Sequence, residues 1–377
     1  MADKQATTQR DGFKSKWGFI LACIGSAVGM GNIWRFPIMV SIWGGMTFLI
    51  PYFICVILIG STGVIGEFAL GRATGAGPIG AFGKCTELRG NKKIGEAIGF
   101  IPVLGSMALA IGYTVVMGWI FKYTAISITG DMHAMGQDMA AIGGHFDIVA
   151  VSNLPWIIVA IVASFAIMAM GVSGGIEKAN KVMMPILFFL FVGLGIYIAF
   201  LPGASDGYKY IFKLDPKGLA NPMVWIFAFG QAFFSLSVAG NGSVIYGSYL
   251  PKDVDIEKST GQVELFDTAI AVLAGLMVIP AVFAFSGGDP AALNAGPSLM
   301  FITIPKVFDS MGLGTAIGIL FFVLVLFAAL TSSIALTESA VSTFQDELGW
   351  GRKKSTAVVG VVMLALGTLS SLGYGPL

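Results

Sequence analysis

The chain has 377 residues, of which 56% are hydrophobic and only 11% are charged, and its formal net charge is +1. Soluble domains carry about a quarter charged residues, so this composition indicates a membrane protein. The near-neutral charge disfavours nucleic-acid binding, and the three cysteines show neither a disulfide framework nor a metal-binding spacing.

Apolar runs along the chain predict nine membrane spans, each close to or beyond the roughly 20 residues needed to cross a bilayer. A polar segment, residues 1–12, precedes the first span. The predicted spans are 17–40, 44–71, 97–127, 153–171, 180–201, 221–249, 263–286, 313–343 and 355–374. The proline-containing stretch 286–312 is predicted to form a re-entrant or capping loop. His133 and His145 are predicted to lie alone in a loop, which makes a metal site there improbable.

The basic residues predict the orientation of these spans. Sixteen of the 22 lysines and arginines fall on the side of the N-terminus, four fall on the opposite side, and Arg35 and Lys122 lie within spans. The protein is predicted to lie in the inner or plasma membrane. Because cytoplasmic loops are enriched in lysine and arginine, its N-terminus is predicted to lie in the cytoplasm. Nine spans then place Leu377 outside.

Two glycine-rich stretches interrupt apolar spans, at residues 25–32 (Gly-Ser-Ala-Val-Gly-Met-Gly-Asn) and 237–243 (Ser-Val-Ala-Gly-Asn-Gly-Ser). Free backbone groups cannot be left facing lipid, so a broken helix at this depth is expected to line a cavity enclosed by protein. Its amides suit an anion and its carbonyls suit a cation. Glycine notches for helix packing are the alternative. Asn32, Arg35 and Pro37 follow directly and disfavour it, because each is costly in lipid.

Three separated motifs, in order along the chain, closely resemble helices 1, 6 and 8 of the neurotransmitter:sodium symporter family. The resemblance covers essentially the whole chain. The motifs are Gly25-Ser-Ala-Val-Gly-Met-Gly-Asn-Ile-Trp-Arg-Phe-Pro37; Gly230-Gln-Ala-Phe-Phe-Ser-Leu-Ser237 with Tyr246-Gly-Ser-Tyr249; and Ala328-Ala-Leu-Thr-Ser-Ser-Ile334 with Gln345-Asp-Glu-Leu348 and Arg352-Lys-Lys354.

The resemblance implies an all-α polytopic membrane protein of the bacterial amino-acid transporter branch, with a leucine-transporter-type inverted repeat and broken helices 1 and 6. Residues 13–202 would form the first repeat and residues 203–377 an incomplete second one. The C-terminal helices of the family are absent, so the chain is either part of a longer protein or a shortened member. In the family, one of these C-terminal helices carries the acidic residue that pairs with the arginine matching Arg35 at the outer gate.

The resemblance also implies two sodium sites. Hydroxyl and carbonyl oxygens from the first and eighth helices would form the second site: Gly25, Val28, Ala328, Thr331 and Ser332. The alternative is that the hydroxyls of Thr331 and Ser332 only bond back to carbonyls of their own helix. The first site would be formed by Ala27, Asn32, Ser235 and Asp267.

Asp267 is predicted to be functional, because an unpaired acid inside a span is expensive. A carboxylate beside the ion would supply the negative charge that chloride-dependent relatives take from chloride, so transport independent of chloride is expected. The alternative is that Asp267 lies near the cytoplasmic end of its span and is solvated.

The substrate implied by the family is a zwitterionic amino acid. Its carboxylate would meet the amides of Met30 and Gly31, the Tyr113 hydroxyl and the first sodium ion. Its ammonium would meet carbonyls of Ala27, Phe234 and Ser235 and the Ser237 hydroxyl. Gly29 leaves room for the substrate carboxylate, whereas monoamine carriers place an aspartate there. The predicted wall of the side-chain pocket is Leu109, Tyr113, Phe234, Val238, Gly240, Ser332 and Leu336. Gly240 replaces a bulky aromatic residue of a leucine-binding relative, so a neutral and fairly large side chain is expected.

Outer and inner gates are implied as well. Tyr113 and Phe234 would form a lid over the substrate, with Arg35 and Gln231 as an outer polar latch; for the two aromatic residues the alternative is simple interior packing.

On the inside, Arg10 and Asp346 resemble a cytoplasmic ion pair, and Phe13 replaces a tryptophan plug. Two solvated surface charges are the alternative for Arg10 and Asp346.

The predicted function is sodium-coupled symport of an amino acid by alternating access, with sodium, the amino acid and membrane lipid as partners. A non-transporting, sodium-dependent amino-acid sensor of the same fold is the alternative. A channel is disfavoured because no repeated pore loop is present, and an enzyme because no nucleophile–base pair lies in the spans. The sequence leaves the oligomeric state open.

Overall fold

The computed structural model describes residues 12–374, except residues 137, 288, 290–292, 294–298 and 311–312. Seventeen α-helices account for most of this part, and the described residues contain no β-strand. The helices are α1 Lys16–Ala27, α2 Phe36–Trp43, α3 Met46–Ile59, α4 Ile65–Thr74, α5 Pro78–Glu87, α6 Lys92–Thr129, α7 Asp131–Ala134, α8 Met139–Val151, α9 Leu154–Ala169, α10 Glu177–Ala199, α11 Ala204–Ile211, α12 Pro222–Ser235, α13 Gly242–Ser248, α14 Ile256–Ser286, α15 Ile304–Asp309, α16 Gly314–Leu348 and α17 Arg352–Leu372.

Six helical segments of the described chain are long and apolar enough to cross a membrane, and eight if each of two bent pairs counts as one span. The segments are Met46–Thr74, Lys92–Thr129, Val172–Ala199, Ile256–Ser286, Gly314–Leu348 and Arg352–Leu372. The bent pairs are α1 with the segment that ends at Trp43, at 50°, and α8 with α9, at 67°. In the region of the predicted sixth span lie two shorter helices, α12 and α13. Every predicted span therefore has a helical counterpart.

Several helices lie outside the predicted spans, in the segments that connect one span to the next. α5 precedes α6, α8 precedes α9, α11 precedes α12, and the predicted capping loop contains α15. His133 and His145 lie on α7 and α8, so their placement in a loop was wrong. Each of these helices has at most 13 residues. A search for long apolar runs misses such segments, because they do not need to cross the bilayer.

The central helix α1 packs against α10, α14 and α16, and α16 also packs against α6. α1 is almost wholly buried, from Gly18 to Ala27. Because α1 ends in the interior of the bundle, its end is surrounded by protein rather than by lipid.

A buried ion pair joins α17 to α16 at one end of the bundle. Arg352 donates to both carboxylate oxygens of Glu338, at 2.5 and 2.7 Å, and to the Met168 carbonyl at 2.9 Å. The Tyr249 hydroxyl donates to the same carboxylate at 2.7 Å. Glu338 is fully buried, so the arginine compensates a charge that has no access to water.

Replacing this arginine is expected to destabilise the protein. Arg352→Ala leaves the Glu338 carboxylate buried without its cation, which typically costs about 3–5 kcal/mol. We expect a clear fall in the melting temperature of the detergent-solubilised protein. Lys353→Ala, at the exposed neighbouring position, is the control and should leave the melting temperature almost unchanged. Equal melting temperatures for the two variants would contradict a structural role for the pair.

Candidate functional site

The first helix break lies between α1 and α2. Val28, the residue after α1, is extended (φ −73°, ψ 107°), which interrupts the helical hydrogen bonding. The amide of Gly29 donates to Asn32 Oδ1, and the amide of Met30 donates to the Tyr113 hydroxyl, both at 3.0 Å. Two side chains thus satisfy amides that the break releases, as the low-dielectric interior requires.

The second break lies between α12 and α13. Ser237, Ala239 and Asn241 have φ values of 54°, 61° and 63°, in the left-handed region that non-glycine residues rarely adopt. Each such residue costs of order 1–3 kcal/mol, so the surrounding structure must hold the segment in place. Three strained residues within the five positions 237–241 are typical of a functional site.

Two side chains that the sequence analysis did not single out support this second break. Glu67 on α4 accepts from the amide of Ala239 at 2.7 Å. Ser106 on α6 donates to the carbonyl of Gly240 at 2.8 Å and accepts from Asn241 Nδ2 at 3.5 Å. An acid within a predicted span was a sequence signal for Glu67, whereas a serine in a long helix gives none.

Both breaks face a cavity of about 450 Å³. Twelve of the thirteen predicted substrate-contacting residues line it, and the exception is Met30. The twelve are Ala27, Gly29, Gly31, Leu109, Tyr113, Phe234, Ser235, Ser237, Val238, Gly240, Ser332 and Leu336. The predicted ion ligand Asn32 and gate residue Arg35 line it as well. Four lining residues were not predicted: Ser26, Phe229, Gly230 and Phe233.

A cluster of buried oxygens lies beside the cavity, where Asn32, Ser235 and Asp267 meet. Asn32 Nδ2 donates to Asp267 Oδ1 at 2.8 Å and to Ser235 Oγ at 3.2 Å. Ser235 Oγ donates to Asp267 Oδ2 at 2.7 Å. Asp267 is fully buried, so the alternative of a solvated position near the cytoplasmic end does not hold. Both of its partners are neutral, and a buried carboxylate is costly unless a cation compensates it.

The geometry of Asn32 differs in detail from the predicted ion ligand. Its amide nitrogen, not its oxygen, points at Asp267, and its oxygen accepts from the Gly29 amide. An amide oxygen has two lone pairs, so one remains for a cation. Carboxylate, amide, hydroxyl and carbonyl oxygens are the donor types that hard cations take in proteins. The donor set therefore fits sodium.

A second cluster joins α16 to the end of α1. Ser332 Oγ lies 3.1 Å from the Val28 carbonyl oxygen and 3.4 Å from that of Gly25. Thr331 behaves differently, because its hydroxyl donates to carbonyls of its own helix, those of Phe327 at 3.0 Å and Ala328 at 3.2 Å.

The two hydroxyls thus behave differently. Ser332 bridges to α1, as the predicted ion site requires, whereas Thr331 bonds back to carbonyls of α16, as in the alternative. Thr331 still faces α1, since a Cβ added at Gly25 would lie 3.1 Å from its Cβ. The five predicted oxygens of the second site thus come from two helices that touch at this point.

The outer residues form different contacts from the predicted latch. The guanidinium of Arg35 lies over the ring of Phe234, 5.2 Å from its centroid. Gln231 is buried and donates to the Gly31 carbonyl at 3.2 Å. Within the described residues the structure thus does not pair Arg35 with Gln231. Tyr113 and Phe234 both line the cavity.

The inner residues are only partly described. Phe13 is buried, with its ring centroid 5.6 Å from those of Phe19 and Tyr246. Asp346 accepts a hydrogen bond at 2.7 Å from the backbone amide that precedes α5. Its predicted partner, Arg10, lies outside the described residues.

Comparison with known proteins shows the family to which this chain is similar. A model of the sodium:neurotransmitter symporter family matches residues 10–137 and 137–374. YhdH, an uncharacterized sodium-dependent transporter of Bacillus subtilis, is 35% identical over 96% of this chain and 79% of the relative. The mouse sodium-dependent neutral amino acid transporter B(0)AT3 is 30% identical over 72% of this chain and 47% of the relative. The crystal structure of MhsT in complex with L-phenylalanine superposes with a TM-score of 0.86 at 38% identity, covering 97% of this chain and 81% of that one.

Proposed function

Because the chain belongs to the sodium:neurotransmitter symporter family, whose members are sodium-dependent transporters, we propose that it couples sodium entry to the uptake of a large neutral amino acid. The observation that carries the proposal is the cavity between the two helix breaks. One of its walls is apolar, and the other is formed by the two helix breaks, next to a buried carboxylate.

The first sodium ion binds beside Asp267, with oxygens of Ala27, Asn32 and Ser235. The carboxylate of the amino acid is a further ligand of this ion and also meets Tyr113. Because sodium and substrate touch, each raises the affinity for the other, which is the physical basis of coupling. The burial of Asp267 among neutral partners supports this site, because a cation offsets the cost of the charge.

The second sodium ion binds where α16 meets the end of α1. Its ligands are the carbonyls of Gly25, Val28 and Ala328 and the hydroxyls of Thr331 and Ser332. The contacts of Ser332 with two of these carbonyls support this site. To take part, the Thr331 hydroxyl turns away from the carbonyls of its own helix.

The substrate is an amino acid with a large, uncharged side chain. Among the described residues that line the cavity, Arg35 alone is charged, and it lies against the Phe234 ring at the outer end. Burying an apolar side chain against such a wall contributes roughly 25 cal/mol per Å² removed from water. The apolar wall is formed by Leu109, Phe229, Phe233, Val238 and Leu336. The complex of the similar transporter MhsT with L-phenylalanine supports this substrate class.

Transport proceeds by alternating access between two inverted repeats, residues 13–202 and 203–377, with the N-terminus in the cytoplasm. Tyr113 and Phe234 close over the substrate on the outside. The first, second, sixth and seventh spans then rock against the other spans, and the second sodium ion leaves first. These four spans are residues 17–40, 44–71, 221–249 and 263–286.

Radiolabelled phenylalanine uptake by proteoliposomes tests the proposal. An inward sodium gradient should drive saturable uptake, and replacing sodium with potassium should abolish it. Counterflow exchange of labelled for unlabelled phenylalanine should also be seen. Full uptake in potassium would refute the coupling. Sodium-dependent binding without counterflow would instead identify a sensor.

Chloride replacement gives a separate prediction. Asp267 supplies a fixed negative charge beside the first sodium ion, so transport needs no external anion. Replacing chloride with gluconate should leave the initial rate of sodium-driven uptake unchanged. A rate that falls in proportion to chloride would contradict this role of the carboxylate.

A further inference from the structure

A single buried carboxylate fastens the start of α1 to α10. Glu177, the first residue of α10, is 2% exposed. One of its oxygens accepts from the backbone amide of Lys14 at 2.7 Å, and the other accepts from the Ser15 hydroxyl at 2.8 Å. The contacts join residues more than 160 positions apart, so they tie together two separate helices.

The same contacts cap α1. Ser15 is the N-cap residue, and its hydroxyl accepts from the amide of Gly18 at 3.0 Å while it donates to Glu177. Gly18 lets the carboxylate approach closely, because a Cβ at this position would overlap the Glu177 side chain. The start of α1 and the carboxylate of α10 therefore form one hydrogen-bonded unit.

Lys181 neutralises the charge of this unit without touching α1. Its ammonium lies 2.6 Å from Glu177 Oε1, one turn along α10, and its side chain is 41% exposed. Lys181 and the start of α1 thus share Glu177, whereas the bonds from Lys14 and Ser15 join that carboxylate to the start of α1. Substitutions of Lys181 and of Ser15 therefore test two roles separately: neutralising the Glu177 charge and attaching Glu177 to the start of α1.

We infer that Glu177 is a positioning residue of the transport cycle, whose bonds to the start of α1 keep the cytoplasmic path to the cavity closed. The inference rests on the proposed function, in which the first span, which contains α1, moves away from the fifth span, α10, and the eighth span, α16. α1 ends at the carbonyls of Gly25 and Val28, which face Ser332. Release of α1 from Glu177 therefore moves carbonyls of the proposed second sodium site, so inward opening and sodium release are linked.

Cysteine accessibility tests this inference. Ala22 is fully buried and lies four residues after Gly18 and three before Gly25, the positions of α1 that face α10, so all three share one helix face. We would place a cysteine there (Ala22→Cys) after replacing Cys23, Cys55 and Cys85 by alanine. A membrane-impermeant thiol reagent is then applied from the cytoplasmic side of inverted vesicles, in sodium and without amino acid.

Glu177→Gln should raise the modification rate of this cysteine by roughly tenfold or more, because a neutral amide cannot replace two charge-assisted hydrogen bonds. Ser15→Ala, which removes one of the bonds, should raise it less. Lys181→Gln, the matched control, removes the cation but keeps both bonds to the start of α1, so it should raise the rate much less than Glu177→Gln does. An unchanged rate in both Glu177→Gln and Ser15→Ala, or an equal rise in Lys181→Gln, would overturn the inference.

Failure of this inference is distinguishable from failure of the proposed function. The modification rate requires no amino acid, whereas the proposed function is tested by uptake. Sodium-driven uptake by the wild-type protein with an unaltered cysteine rate in Glu177→Gln would reject the role of Glu177 alone. Retained stabilisation of Glu177→Gln by sodium would show that the variant is folded.

Discussion

Asp267→Ala is expected to reduce sodium-driven amino-acid uptake by about a hundredfold or more. The carboxylate is fully buried, and the proposed sodium ion compensates its charge. Removing one partner of a buried charge pair typically costs about 3–5 kcal/mol, and each 1.4 kcal/mol corresponds to a factor of ten in affinity. The loss should appear as a higher sodium concentration for half-maximal uptake.

A graded variant and a surface control sharpen this prediction. Asp267→Asn keeps the shape and the hydrogen-bonding reach of the side chain but removes its charge, so it should lose less sodium affinity than Asp267→Ala. Asp206→Ala removes an exposed carboxylate whose ion pair with Lys209 contributes little. It should transport like the wild type. Normal sodium dependence in Asp267→Ala would exclude Asp267 as a sodium ligand.

Gly29→Ala is expected to reduce amino-acid affinity by about tenfold or more while the protein remains folded. A Cβ at this position would lie 2.5 Å from Ser332 Oγ and 2.6 Å from Tyr113 Oη, far inside van der Waals contact. Ser332 bonds to the Val28 carbonyl, so moving it disturbs the proposed second sodium site. Moving Tyr113 removes the group that we propose for the substrate carboxylate. Overpacking of this kind typically costs about 1–3 kcal/mol.

Gly112→Ala is the matched control for this substitution. Gly112 lies on α6, one residue before Tyr113, and a Cβ there would meet nothing within 4 Å. Its binding of phenylalanine, measured by titration in sodium, should match that of the wild type. If Gly29→Ala binds as tightly as Gly112→Ala, the cavity beside Gly29 does not hold the substrate.

The features that the sequence predicted depend on local patterns. Apolar runs of span length located the helices of the bundle, because lipid imposes their length and composition. The two glycine-rich stretches located the breaks, because only unusual backbone needs such residues in an apolar span. The motifs around these stretches then selected the residues that line the cavity. Met30 does not line the cavity, and its amide, the group predicted to meet the substrate, donates to the Tyr113 hydroxyl.

The features that were missed depend on tertiary packing. Glu67 and Ser106 hold the second break from other helices, and no local pattern connects them to it. The orientation of the Asn32 amide and the contact of Gln231 with the Gly31 carbonyl are set by competition among several donors. The surface helices α5, α8 and α11 escaped notice because they are too short to give a span-like signal.

The central claim is that a sodium ion and the amino acid touch each other between the two helix breaks. Titration of purified protein with phenylalanine, in sodium and in potassium at equal ionic strength, tests this most directly. We expect phenylalanine to bind at least about tenfold more tightly in sodium, and sodium to bind more tightly by the same factor when phenylalanine is present. Equal phenylalanine affinity in the two salts would contradict it.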